Sequence, residues 1–64
     1  MKKRELIRIL EEEGYSMRRK KGNHIVFERM SDRSQVYIPK HLEISIGVAR
    51  EVLKAIGRED ALRR

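Results

Sequence analysis

The chain contains no cysteine, no tryptophan, a single proline and few aromatic residues, two Tyr and one Phe. Without cysteine there is no disulfide frame and no zinc site of finger spacing, and two histidines alone rarely make a structural metal site. No apolar run approaches the roughly 18 residues of a membrane span. The opening Met1-Lys2-Lys3-Arg4 leads into an amphipathic helix pattern rather than the apolar stretch of a signal peptide, so the cytoplasm is the expected compartment. Linkers, repeats and low-complexity segments are also missing, which predicts one domain over residues 1–64. A chain of this length buries only about 60% of its unfolded surface. A deep substrate cavity is therefore not expected, and the core has to hold by packing, either alone or with the help of a partner.

What the chain has in abundance is charge. Sixteen Lys and Arg against ten Asp and Glu give a net charge of +6 and a pI near 10.2, the balance expected of a protein that meets a polyanion such as nucleic acid. Charged residues make up 41% of the chain while Asn and Gln occur once each, which also fits the solvated surface of a heat-tolerant protein. The two readings are compatible. Distribution favours a nucleic-acid face for Arg18-Arg19-Lys20-Lys21, four consecutive cations set apart from the acidic Glu11-Glu12-Glu13.

Apolar spacing sets the elements. Leu6, Ile7, Leu10 and, more weakly, Ile9 predict a helix over about Lys3–Glu13 that stops at Gly14. Tyr15 and Met17, then Ile25 and Phe27, alternate with polar neighbours as strands do, with Lys21-Gly22-Asn23 as the turn between them. Ser31–Ser34 reads as a second turn, and Gln35–Ile38 as a third strand closed by Pro39, which cannot donate to a ladder. Ser45 is the expected N-cap of a second helix carrying Val48, Val52, Leu53 and Ile56 and ending at Gly57; residues 58–64 read as a short helical tail. The fold class is thus α+β in the order α-β-β-β-α. Two amphipathic helices can cover one face of a three-stranded antiparallel sheet and leave the other open. If Ile25, Phe27, Val36 and Ile38 face the helices, the pleat sends His24, Val26, Glu28 and Tyr37 to the open side.

His24 then stands on the first position of a strand, directly after a basic turn. An imidazole has an unperturbed pKa of about 6.5, so near neutral pH it can take a proton from a ribose 2′-hydroxyl or give one to a leaving oxygen. The plainer reading makes Gly22 a hairpin glycine and His24 a solvent-facing strand residue. Likewise His41, following Pro39-Lys40, is either a second acid-base group or a surface residue of a loop. Tyr37 can stack on a base, but one aromatic gives little sequence-specific readout. Tyr15, Phe27 and the Leu and Ile stripes are assigned to the core.

These residues also carry a resemblance. The helix over Lys3–Glu13 followed by Gly14-Tyr15, the strand entry Gly22-Asn23-His24-Ile25-Val26-Phe27, the segment Val36-Tyr37-Ile38-Pro39-Lys40-His41 and the closing Val52-Leu53-Lys54-Ala55-Ile56-Gly57 together resemble the HicA family of toxins, mRNA interferases of HicA–HicB toxin-antitoxin systems. The resemblance covers nearly the whole chain, and its specificity lies in the order and spacing of motifs that are weak singly. It implies a fold similar to a double-stranded-RNA-binding domain, a catalytic role for His24, mRNA as substrate and a HicB-like antitoxin that covers the His24 face. Family members usually carry Ser between the Gly and the His, where this chain has Asn23.

On that footing His24 would deprotonate the 2′-hydroxyl for attack on the adjacent phosphorus, help of a kind that supplies roughly 10²–10⁴-fold. Arg19, Lys20 and Lys21, with Arg18, would hold the phosphate and offset charge developing on it, and Gly22 would let the backbone approach closely. Asn23, Tyr37, Lys40 and His41 complete the expected RNA-contacting set. Metal ligands are not expected: Glu11, Glu12 and Glu13 point in three directions from a helix, and Glu28 is the one carboxylate expected on the face of His24. No cofactor is expected, and activity should survive a chelator. Two other classes fit the same residues, a non-catalytic RNA-binding module and an inactive relative that mainly binds an antitoxin-like partner.

Overall fold

The computed structural model of the protein describes residues 1–62. The chain runs α1 (Lys3–Glu12), β1 (Tyr15–Lys21), β2 (His24–Arg29), β3 (Gln35–Pro39) and α2 (Ile46–Ala55), then closes with a 3₁₀ turn over Glu59–Leu62. This is the expected α-β-β-β-α order. The helical tail expected over 58–64 is this single short turn as far as residue 62, and positions 63 and 64 lie outside the described residues.

Helix α1 forms because apolar residues recur at helical spacing: Leu6, Ile9 and Leu10 are buried and Ile7 is half-buried. Its start is fixed by the Glu5 carboxylate, which accepts the Lys2 backbone N–H at 3.2 Å. Its end is Gly14, at φ +88°, a left-handed conformation that glycine adopts without the Cβ penalty other residues incur. Apart from Glu5, the charges at the two ends of α1 run against its own dipole. Lys3 and Arg4 sit in the first turn, where the helix is already positive, and Glu11 and Glu12 sit in the last, where it is negative. Each such placement costs about 0.3–1 kcal/mol relative to the reverse. The acidic end has a structural use: Glu12 and Glu13 both accept from Arg58 Nη1, at 3.2 and 3.0 Å, and fasten the C-terminal turn to α1.

The three strands form one antiparallel sheet in the order β1-β2-β3. The β1–β2 hairpin turns at Gly22-Asn23, with Gly22 at φ +59°. The second turn is held by Asp32, whose carboxylate accepts from the Ser34 N–H, the Ser34 hydroxyl and the Arg29 guanidinium. The Arg29 guanidinium foremost, with both Ser34 bonds adding to it, holds the Asp32 carboxyl well below the usual carboxylate range. Arg29 also lies over the Tyr15 ring at 5.1 Å, and the Tyr15 and Ser34 hydroxyls are 3.0 Å apart, so β1 and the second turn share one buried aromatic.

Register decides the faces. Ile25 stands opposite Ile38 and Phe27 opposite Val36, all four buried against Leu6, Ile9 and Leu10 of α1 and Ala49, Val52 and Leu53 of α2. Each fully buried Leu or Phe here stabilises the fold by about 1.5–3 kcal/mol. Ile44, from the loop before α2, joins this core. Val48, expected in the same stripe, is 38% exposed; Ala49 takes the buried position instead. Both helices thus cover the same sheet face, as expected.

The opposite face departs from expectation. His24, Val26, Glu28 and Tyr37 do lie on it, but Val26 is 0% and Glu28 5% exposed, so this face is open at its rim and closed at its centre. Val26 is the middle residue of the central strand and is flanked by Arg19 on β1 and Tyr37 on β3. Glu28 is buried because cations and an amide converge on it: Gln35 Nε2 and Arg33 Nη1 each donate at 2.9 Å, and Arg18 Nε lies at 3.9 Å. These donors, Gln35 foremost, hold its carboxyl below the usual range.

Candidate functional site

His24 is placed by three local devices. The Gly22-Asn23 turn starts β2 at His24, the His24–Pro39 pair ends the β2–β3 ladder, and the Lys40 N–H then bonds the Asn23 carbonyl at 3.1 Å. Pro39 faces His24 at a non-hydrogen-bonded position of the ladder, and beyond Lys40 the chain leaves the sheet and turns toward α2. Along the way it passes His41, Glu43 and Ser45, which with His24, Tyr37, Pro39 and Val48 line a shallow cavity of about 380 Å³. Both histidines are exposed. Ser45 Oγ accepts the Val48 N–H at 3.3 Å and caps α2, as expected, so the start of that helix forms one wall.

The 40–45 loop is held from the other side by the N-terminus. The Lys3 N–H bonds the Leu42 carbonyl at 2.8 Å and the Ile44 N–H bonds the Met1 carbonyl at 2.7 Å. Lys3 Nζ reaches the Lys40 carbonyl at 3.2 Å. Glu43 accepts from the Met1 amino group at 3.0 Å, which holds its carboxyl below the usual range. Glu43 is a carboxylate on the His24 cavity that sequence reasoning missed. Glu28, expected to be the carboxylate on this face, is instead buried at the far end of the strand among Arg18, Arg33 and Gln35. The signal for Glu43 lay in its loop position two residues after His41, but nothing local reveals which way that loop folds.

A β-bulge sorts the four cations. Met17 pairs with Phe27 and Arg19 with Val26, so Arg18 is the extra residue. Directly opposed residues share a face, which puts Arg19 beside Val26 and Lys21 beside His24 on the face away from the helices. Lys20, opposite Ile25, points to the other side of the ribbon, and Arg18 is drawn to Glu28. Of the expected phosphate ligands, Arg19 and Lys21 therefore share the face of His24, with Gly22 and Asn23 at the adjoining turn. Tyr37 is 47% exposed on the same face and borders the cavity. Lys40 is exposed on the rim, next to His41.

No Cβ placed on Gly22 would meet another atom within 4 Å, so the chain itself leaves open space at the hairpin tip. Among the described residues no three His, Asp or Glu side chains converge in a way that could hold a metal ion. Nor is any helix among them long and apolar enough to cross a membrane.

The family model "HicA toxin of bacterial toxin-antitoxin" matches residues 4–57. The chain belongs to the HicA toxin family. No curated protein and no solved structure matches it significantly. As a HicA-family protein it is the toxin of a toxin-antitoxin pair, with an antitoxin as its partner. The match begins inside α1 and ends at Gly57, so it spans every strand, both histidines and all of α2.

Proposed function

We propose that this HicA-family toxin is an mRNA interferase that cleaves RNA by metal-independent acid-base chemistry through His24, acts in the cytoplasm, and is inhibited by a HicB-like antitoxin. The observation that carries this reading is the pairing of two exposed histidines on one shallow cavity, His24 at a strand end and His41 on the returning loop, with Arg19 and Lys21 on the same face as His24. A shallow, open cavity suits an extended polymer better than a small enclosed substrate.

In the reaction, His24 accepts the proton of a ribose 2′-hydroxyl as that oxygen attacks the adjacent phosphorus. The bond from phosphorus to the 5′-oxygen breaks, and the departing oxygen takes a proton from His41 or from water. The products are a 2′,3′-cyclic phosphate and a 5′-hydroxyl. Arg19 and Lys21 bind the phosphate and offset the charge that grows on its non-bridging oxygens. Gly22 admits the phosphate close to the backbone, Asn23 offers an amide to it, and Tyr37 offers a ring for one base to stack on. Glu43 lines the same cavity as the histidines and is held there by the Met1 amino group.

The test is incubation of purified protein and its His24→Ala variant with a defined RNA in EDTA, reading both cleavage and product ends. The expected result is cutting by the wild type alone, with cyclic or 3′-phosphate ends, and no cutting of the matching DNA. If neither protein cuts while both bind RNA, the chain is a binding module; if neither cuts nor binds, antitoxin binding is its remaining role.

A further inference from the structure

The cations among the described residues divide into those the fold uses and those it does not. Arg18, Arg29, Arg33 and Arg58 are engaged with Glu28, Asp32, Glu12 and Glu13. Among the described residues, Lys2, Arg4 and Arg8 make no ion pair, and together with Glu5 they line a surface depression of about 490 Å³ at the start of α1. Two features mark this patch as placed against the interest of the helix. Arg4 and Arg8 are like charges one turn apart, and Lys3 and Arg4 stand at the positive end of the dipole. The acidic end of α1 is explained by Arg58, and Lys3 by its bond to the Lys40 carbonyl, but among the described residues no hydrogen bond or ion pair engages the side chain of Arg4 or Arg8.

The patch lies next to the proposed RNA site. Leu42 shares a second depression with Lys2, Lys3 and Arg4, while its neighbours His41 and Glu43 line the cavity of His24. The 40–45 loop is thus a ridge with the histidines on one flank and the α1 cations on the other. Lys40, on that ridge, is joined to both sides, through its carbonyl to Lys3 and through its N–H to Asn23. Cations therefore run from the hairpin tip, past the histidines, to α1. The Arg4–Arg8 depression is lined by three cations and Glu5, and the one apolar side chain beside it is Leu42 on the ridge, so its net positive charge fits a phosphate backbone better than the apolar centre of a protein interface.

We propose that Lys2, Arg4 and Arg8 form a second RNA-backbone contact, which holds the strand on the far side of the 40–45 ridge from the point of cleavage. This rests on RNA being the ligand of the His24 face. The site is one of positioning: it sets how long an RNA must be to bind well and touches no reacting atom.

The experiment measures binding of an uncleavable 2′-O-methyl RNA of about 20 nucleotides over a range of salt, for the wild type, for Arg4→Gln/Arg8→Gln, and for a control with the same charge loss on α2, Arg50→Gln/Lys54→Gln. Each lost phosphate contact lowers the slope of log affinity against log salt by about 0.7 for a single strand. The α1 variant is expected to lose about 1.4 from that slope and to bind more weakly at low salt, while the control keeps the wild-type slope. Relief of the dipole conflict means the α1 variant should melt no lower than the wild type, so loss of fold does not blur the result. An unchanged slope in the α1 variant overturns the proposal, and so does an equal drop in both variants, which would report net charge alone. Unchanged RNA affinity with lost binding to poly-glutamate would instead assign the patch to an acidic protein chain. A wild type that binds RNA without cleaving it removes the hydrolytic reading and leaves this contact standing; one that binds no RNA removes both.

Discussion

His24 and Pro39 stand directly opposite each other at the end of the β2–β3 ladder, and that pairing is what brings the second histidine to the first. The last bond of that ladder, from the Lys40 N–H to the Asn23 carbonyl, lies one residue before His41 and fixes where its loop departs.

His41 should accordingly matter to rate. Replacement of His41 by Ala is expected to lower kcat by about 10²-fold, toward the lower end of what general acid-base assistance supplies, while His24→Ala removes cleavage altogether. The pH profile of kcat/KM separates the roles: a bell in the wild type should lose one limb in His41→Ala. An unaltered bell would make His41 a surface residue.

Gly22 offers a way to tell folding from phosphate approach. At φ +59° an alanine is strained by about 1–2 kcal/mol, yet its Cβ meets nothing in the chain. Asparagine tolerates this conformation better. Gly22→Asn should therefore melt close to wild type, and Gly22→Ala somewhat lower. Both should bind RNA less well if the phosphate approaches the turn as proposed. Wild-type RNA affinity in both variants would remove Gly22 from the site.

Glu28 predicts a specific acid sensitivity. Its carboxyl, ordinarily near 4.5, is held lower in the folded chain by Gln35, Arg33 and Arg18. The ionised group therefore favours the fold at pH above about 4.5, and that contribution drains away as pH falls from there through the folded-state value. In Glu28→Gln this share of the pH dependence disappears, so the stabilities of wild type and variant should differ by a constant well above pH 4.5, and that difference should change as pH falls from there through the folded-state value. Parallel curves throughout would mean the carboxylate is not held as described.

The core is small enough that one truncation should show globally. Leu53 is fully buried between α2 and the sheet, and Leu53→Ala is expected to cost about 2–5 kcal/mol, a large part of the stability of any domain this size. Urea denaturation followed by far-UV circular dichroism reads the shift in midpoint directly.

The sequence was most legible where a single local rule governs. Period-two spacing placed Ile25, Phe27, Val36 and Ile38 on one face, Gly14 ended α1, and Ser45 began α2, each without reference to distant residues. Legibility failed where the deciding contact is remote. No Gly or Pro marks the bulge at Arg18, yet it reverses which cations share the face of His24. Glu28 reads as a solvent residue because its partners arrive from positions 18, 33 and 35, on both flanks of its strand. Val48 fits the apolar period of α2, but the 41–45 loop leaves it beside the cavity and gives the buried place to Ala49. For the candidate site, the hairpin half was visible in the string Gly22-Asn23-His24. The half that carries Glu43 was not, because its placement depends on backbone bonds to Met1 and Lys3.

Those bonds also set a folding order for the site. The hairpin that presents His24 closes across a two-residue turn, whereas the loop of His41 and Glu43 is secured to positions some forty residues earlier in the chain. Closing the longer span costs more chain entropy and comes later. A growing chain thus displays His24 and its cations well before it possesses the opposing wall, and the cavity exists only once the N-terminus has been joined to the 40–45 loop.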